Sequence, residues 1–245
     1  MWVRAIISAV ACFLLCVGFL LLSVGFVGFN KSFYASQFAK NETAVKIGIS
    51  DEDLRKVSNQ MIAYLSGHSR TCQVYVTFSG EESPRPFYDE KQLSHMADAR
   101  KVFIGVQITA HVFFWIGAAT LVLLFVFYRK KFLQPFARGA IIGGGLLLLV
   151  GAILGIIMAA NFGAAFEMLH EIFFPQGNWQ FDVSSPLITM LPESLFLTAA
   201  TYILACGVLF TLLLIFVGVG MLVYLSVSRK AKIFRCCAVK EHGEP

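Results

Sequence analysis

Charge is scarce in this chain of 245 residues. Asp, Glu, Lys and Arg make up 14% of it, against about 25% in soluble domains. That deficit, beside 57% hydrophobic residues, excludes an ordinary soluble domain. Cysteine is nearly missing outside the apolar runs. Cys12, Cys16 and Cys206 lie within them, Cys236 and Cys237 lie in a basic tail, and Cys72 alone falls in a polar region. No disulfide framework and no CxxC zinc pair can be built from that set, and Cys236–Cys237 is at most a weak acylation signal. Internal repeats and heptads are absent. So is the GxSxG elbow of serine hydrolases, and His170-Glu-Ile-Phe-Phe is not the HExxH of zinc hydrolases. No cofactor and no metal are expected. One further absence is local: the stretch from Asn161 to Phe196 holds no Lys or Arg.

What is abundant is long apolar sequence. Ala5 to Phe29, Val102 to Phe127, Gly139 to Ala160 and Leu197 to Val227 run without an acid, Lys or Arg. Each reaches the roughly 20 residues that a helix needs to cross a hydrocarbon core, and in lipid the backbone must pair within the segment. The sequence therefore reads as an α-helical integral membrane protein with four transmembrane helices. The first run exceeds the roughly 7–15 residues of a signal-peptide core and is expected to be a retained anchor. Basic residues cluster at Arg4, at Arg129, Lys130, Lys131 and Arg138, and from Arg229 to Lys240. By the positive-inside rule both termini are cytoplasmic. The net charge of +5 belongs to that cytoplasmic rim, and nucleic acid is not an expected partner.

Five segments follow. Residues 1–29 are the first transmembrane helix, and 30–101 a small α+β extracellular domain. Residues 102–160 hold the second and third helices with a basic cytoplasmic loop. Residues 161–196 form an extracellular loop with His170 and Trp179, and 197–245 the fourth helix and basic tail. Within the external domain, Ala44 to Ile49 alternates as a short strand would. Ser50 caps a helix that presents Leu54, Val57, Met61, Ile62 and Leu65 on one face and stops at Gly67. Cys72, Val74, Val76 and Phe78 alternate as a half-buried strand. A polar helix from Asp89 runs unbroken into the second span. The third helix, if it continues past Ala160, places Phe162, Phe166 and His170 on one face. The series Gly143, Gly144, Gly145, Gly151 and Gly155 suits close helix packing.

His68 and His242 read as solvated, whereas His95 and His170 each stand just outside a span on the same side. Three chemistries fit such a pair. His95, Asp98, His170 and Asp182 could ligate a metal, although their spacing matches no standard signature. A protein nucleophile would have to be Ser94, Ser184, Ser185, Ser194 or Cys72, each of which has an ordinary loop, cap or core reading. General acid–base catalysis on a substrate carrying its own nucleophile needs the fewest residues. The alternative is a non-enzymatic four-helix membrane protein that binds a partner or lipid through its extracellular domain, with the histidines and Trp179 as anchors.

Two motifs carry a resemblance. His95-Met96-x-Asp98 precedes the second span. His170-x-x-Phe173-Phe174-x-x-Gly177-x-Trp179-x-Phe181-Asp182 is followed by Leu187-Ile188 and Leu191-Pro192-Glu193. Together they resemble the lyso-form lipoprotein intramolecular transacylase family, four-helix membrane proteins of Gram-positive bacteria. Ala99 stands where that pattern has Val, and Ser185 where it has an acid. The resemblance implies a site on the extracellular face of a bacterial plasma membrane. Its partners would be a diacylated lipoprotein N-terminus and membrane lipid. The sn-2 acyl chain of diacylglyceryl-Cys would move to the α-amine of the same Cys. It also implies that His95 and His170 are catalytic and that Asp98, Trp179 and Asp182 orient an imidazole or bind substrate. His95 is expected to move the amine proton and His170 to stabilise the oxyanion, the reverse assignment being about equally open.

Overall fold

The computed structural model describes residues 2–241, apart from the side chains of Lys130 and of residues 232–241. His242, and the side chains of Cys236 and Cys237, lie outside the described residues. Four helices are long and apolar enough to cross a membrane. They are α1 (Trp2–Gly28), α5 (Glu90–Tyr128), α6 (Leu133–Ala160) and α9 (Glu193–Glu241). Between them lie α2 (Lys31–Asn41), α3 (Thr43–Ile47), α4 (Asp51–Leu65), strands β1 (Tyr75–Val76) and β2 (Arg85–Pro86), α7 (Phe162–Phe173) and α8 (Pro186–Met190). The chain divides into two compact units, residues 1–19, 111–152 and 206–245, and residues 20–110 and 153–205.

Small residues hold the first unit together. A Cβ on Gly117 would sit 2.6 Å from the Ala11 carbonyl oxygen, and one on Gly139 would sit 2.6 Å from Ser8. Glycine thus lets α5 and α6 meet α1 backbone to backbone, the way helices associate where lipid removes the hydrophobic drive. Gly218 of α9 meets Ala137 of α6 in the same manner. Only part of the expected glycine series serves this purpose. Gly143 and Gly144 are packed against neighbours, while Gly145, Gly151 and Gly155 face open space; Gly145 points to another side of the helix, and Gly151 and Gly155 share the side of Gly144 but lie two and three turns farther along it.

The second unit has a conventional core. α4 follows its expectation: Ser50 Oγ accepts the Asp53 amide as N-cap, and Leu54, Val57, Met61, Ile62 and Leu65 are buried. Val57 and Met61, sealed almost completely, contribute about 1.5–3 kcal/mol each by burial. They pack with Phe33, Tyr34 and Phe38 of α2 and with Val74, Val76, Phe87 and Tyr88. The strand expected over Ala44 to Ile49 is instead the helix α3. Gly48, at φ 77°, caps it with its amide on the Ala44 carbonyl, and Val45 of the supposed inward face is 81% exposed. In a segment of five residues period two does not distinguish a strand from one helical turn. The expected strand over Cys72 to Phe78 shrinks to the two-residue antiparallel ladder that pairs Tyr75 with Pro86 and Val76 with Arg85. Residues 30–101 are consequently mainly helical.

Two helix starts place the candidate histidines. α5 begins with a reciprocal cap: the Gln92 amide donates to Asp89 Oδ1 at 2.7 Å and the Asp89 amide donates to Gln92 Oε1 at 3.2 Å. From there it runs 39 residues without a break, as expected. The third long helix does not continue past Ala160. Asn161 leaves helical geometry (φ −159°, ψ 91°), and its side chain accepts the Ala164 amide to start α7. Pro175 follows the last turn of α7 directly, and Ser185 caps the short α8, which rests against α3.

Candidate active site

His95 lies one and a half turns into α5, half-buried, above the buried Met96 and Ala99. His170 lies in the last turn of α7. Within the second unit the two imidazoles face each other with centroids 6.2 Å apart and planes inclined by 23°. Aromatic rings enclose them. His95 packs edge-on to Phe174 at 4.6 Å and Phe181 at 5.4 Å. His170 lies over Phe166 at 4.0 Å and beside Trp179 at 5.1 Å. A cavity of about 410 Å³ opens onto both rings, with Glu167, Glu193 and Phe196 also on its wall.

The hydrogen bonds of the two rings differ. His170 Nδ1 is 2.8 Å from the Phe166 carbonyl oxygen. A carbonyl only accepts, so Nδ1 carries the hydrogen, and Nε2 of the neutral ring keeps a free lone pair. His95 Nδ1 is buried and has no partner. Burial, and then the proximity of His170, lower the His95 pKa from 6.5 to about 4, with Asn178 and Asp98 pulling weakly the other way. Burial also lowers the pKa of His170, opposed by its bond to the Phe166 carbonyl. Desolvation disfavours the charged ring in both cases, so both are neutral at pH 7.

The two expected aspartates are placed differently. Asp98 sits one turn after His95, but its carboxylate bonds neither imidazole. Oδ2 accepts from Gln176 Nε2 at 2.7 Å and from Asn178 Nδ2 at 3.0 Å, and Oδ1 pairs with Lys101 at 2.8 Å. Lys101 first, then Asn178 and Gln176, hold its carboxyl below the usual carboxylate range. Asn178 also donates to Ser94, and the Lys91 ammonium donates to the Gln180 carbonyl. α5 is thereby stapled to the loop between Phe174 and Phe181, the loop whose aromatics touch both histidines. Asp182 is exposed and accepts from the amide and hydroxyl of Ser184 at 2.8 and 2.6 Å, not from a histidine. Trp179 does line the cavity. The four residues weighed as metal ligands do not converge: among the described residues no group of three or more His, Cys, Asp or Glu is placed to hold an ion.

None of the five candidate nucleophiles reaches the cavity wall. Ser94 is held by Asn178, Ser184 by Asp182, and Ser185 caps α8. Cys72 is buried, which pushes its thiol up to about 12 and leaves it protonated and inert. Gln176 and Asn178, the partners of Asp98, were not expected. The usable signal is an acid, Asp98, facing a loop with no cation of its own, so that the bonds from the loop come from amide donors and the one cation, Lys101, from the helix of Asp98 itself.

Known proteins resemble this chain. The family model "Lipoprotein intramolecular transacylase Lit" matches residues 9–196. An uncharacterised protein of Aquifex aeolicus (strain VF5) is 26% identical over 134 residues, 54% of this chain and 56% of that protein. The match thus spans little more than half of that relative's length. The in meso structure of the membrane integral lipoprotein intramolecular transacylase Lit from Bacillus cereus superposes with a TM-score of 0.66 at 20% identity, covering 94% of this chain and 98% of that one. A form of the same protein with one histidine replaced by arginine gives 0.68 at 18% identity, covering 92% and 95%. At such identity the likeness establishes the fold, that of a multi-pass membrane protein.

Proposed function

Because this chain belongs to the lipoprotein intramolecular transacylase (Lit) family, we propose that it moves the sn-2 acyl chain of a diacylglyceryl-Cys lipoprotein to the α-amine of that same Cys. The observation that carries the reading is the pair of neutral imidazoles 6.2 Å apart on a cavity whose wall has no Ser, Thr or Cys among the described residues. A site whose wall offers no hydroxyl or thiol nucleophile suits a substrate that brings its own. Attack of the amine on the ester carbonyl closes an eight-membered path through N, Cα, Cβ, S, two glycerol carbons, the ester oxygen and the carbonyl carbon. The tether supplies the proximity. The protein has to move protons and stabilise charge.

The hydrogen bond from His170 to the Phe166 carbonyl favours the reverse of the roles first expected. His170 Nε2, holding the lone pair, takes the proton as the amine nitrogen bonds to the carbonyl carbon, and the Phe166 carbonyl steadies the imidazolium. His95 resists protonation and stays neutral. Its N–H donates to the oxyanion. Collapse breaks the bond from carbon to the glyceryl oxygen, and His170 returns its proton to that oxygen. Trp179 and the phenylalanines exclude the water that would hydrolyse the ester. Asp98 acts at one remove, by holding the Gln176–Asn178 turn. Orientation belongs to the same reading: basic flanks inside, both termini cytoplasmic, and the site on the extracellular face of a bacterial plasma membrane.

Substrate and product are isomers, so total mass cannot report the reaction. Tandem mass spectrometry of a synthetic diacylated lipopeptide after incubation with purified protein should locate one acyl group on nitrogen. His95→Ala and His170→Ala should each lower that rate about a hundredfold or more while the protein accumulates normally. If the product forms at an unchanged rate with either variant, histidine catalysis is wrong. If no product forms with the unaltered chain, the non-enzymatic binding role takes its place.

A further inference from the structure

α7 carries His170 on one side and something else on the other. Met168, Leu169, Ile172 and Phe173 are between 44% and 67% exposed. At 3.6 residues per turn they fall within an arc of roughly 140°. The cavity-lining Gly163, Phe166 and His170 occupy the adjoining sector, and the exposed Glu167 and Glu171 the third. A helix divided in this way has an apolar face with no partner in its own unit. Its position supplies one. Asn161 alone separates α7 from α6, a helix long and apolar enough to span the membrane, so α7 starts where the hydrocarbon ends.

We propose that α7 is an interfacial helix whose Met168–Leu169–Ile172–Phe173 face beds into the lipid leaflet at the acyl–headgroup boundary. Helices of this kind sink their apolar face about 5–10 Å into that boundary. The loop that contains α7 has no Lys or Arg, so attachment comes from apolar area and not from attraction to anionic lipid; zwitterionic lipid suffices and salt has little effect. The consequence, which rests on the transacylase reading, concerns depth. With one face of α7 in the leaflet, His170 on the adjoining face is held at the level of the glycerol esters. A diacylglyceryl ester then reaches the site without leaving the membrane.

The test uses the full chain in phosphatidylcholine vesicles, with Cys206, Cys236 and Cys237 replaced by Ala and a bimane label on Ile172→Cys or, in parallel, on Glu171→Cys. Phosphatidylcholine brominated near the glycerol end of its chains should quench the Ile172 label about threefold or more over the Glu171 label, and aqueous iodide should do the opposite. Met168→Cys provides an independent probe should the first variant fail to accumulate. Preferential iodide quenching at Ile172 and Met168 overturns the proposal, because the face then lies in water. Shielding from both quenchers, with emission that changes with protein density in the vesicle, overturns it in favour of a second copy of the chain. Bromolipid quenching in a protein that fails to isomerise the lipopeptide would leave the interfacial helix standing and remove the transacylase reading alone.

Discussion

Acidification should weaken this protein through His95, by an amount the structure sets. An ordinary histidine takes up its proton near 6.5, whereas burial and then the neighbouring His170 bring His95 down to about 4. Below pH 6.5 the unfolded chain binds a proton that the folded chain refuses until about pH 4. The unfolded state therefore binds more protons across that window, and stability falls as pH falls through it. It is fully present above 6.5. Between pH 7 and pH 5 the ring accounts for about 1–2 kcal/mol, after allowing for the solvent screening of a side chain that is only half-buried. For a chain of this size that is about 2–8 °C in apparent melting temperature. His95→Phe keeps an aromatic ring against Phe174 and Phe181 and cannot be protonated. Melting of the detergent-solubilised protein followed by intrinsic fluorescence at pH 7, 6 and 5 should show the unaltered chain losing several degrees more than His95→Phe. Parallel curves would refute the reasoning, since they would mean that His95 titrates alike in both states.

The rate should be governed by the same neutral rings. The pH profile of kcat/KM should rise through the depressed pKa of His170, below 6.5, and again as the substrate amine loses its proton near 8; a second break at or above 6.5, besides that of the amine, would contradict it. Asp98→Ala, which frees Gln176 and Asn178, should slow turnover about tenfold by loosening the loop at a loss of about 1.4 kcal/mol, with the pH profile unmoved. A shifted acid limb in that variant would mean that Asp98 acts on an imidazole directly. Ala in place of Ser94, Ser184, Ser185, Ser194 or Cys72 should leave turnover within about tenfold. An acyl group trapped on the protein with an N-acetylated substrate, and lost in one of these five, would establish a protein nucleophile instead.

The spans and the pair of histidines were legible in the sequence for a physical reason. Lipid forces an uninterrupted apolar run on any helix that crosses it, so α1, α5, α6 and α9 announce themselves by composition alone. His95 and His170 stand out because each lies just outside such a run, on the side that the charge pattern makes common to both. α4 was legible through its Ser50 cap and fifteen residues of helical spacing. α3 was not: in five residues period two and period 3.6 cannot be told apart, and the deciding feature, a left-handed Gly48, belongs to the turn. α6 ends at Ala160, where the apolar run ends, whereas continuation of the helix toward His170 stays open in the sequence, because an asparagine there is compatible with both a continuing helix and the N-cap of a new one. The orienting role of Asp98 is an expectation of the family resemblance and not of its spacing, and a carboxylate on a helix bonds whatever the packed chain brings to it: here Gln176 and Asn178.

That displacement of Asp98 bears on how the proposed reaction is kept clean. A carboxylate against His95 would raise its pKa and favour an imidazolium at neutral pH. Two facing imidazoles cannot both be charged at 6.2 Å in a wall of aromatic rings without strong repulsion. Moving the acid outward, to the Gln176–Asn178 turn, leaves burial as the dominant influence on both rings. On the proposed roles Nε2 of His170 accepts the one proton released by the attacking amine, while burial and the neighbouring His170 keep the lone-pair nitrogen of His95 from taking it. On the proposed reaction that proton has a single destination, the glyceryl oxygen that leaves. The carboxylates of Asp98 and Asp182, bonded by Lys101 and Ser184, are turned away from the rings, which leaves Glu167 and Glu193 as the acids on the cavity wall, and Phe166, Phe174, Trp179 and Phe181 pack around the two imidazoles.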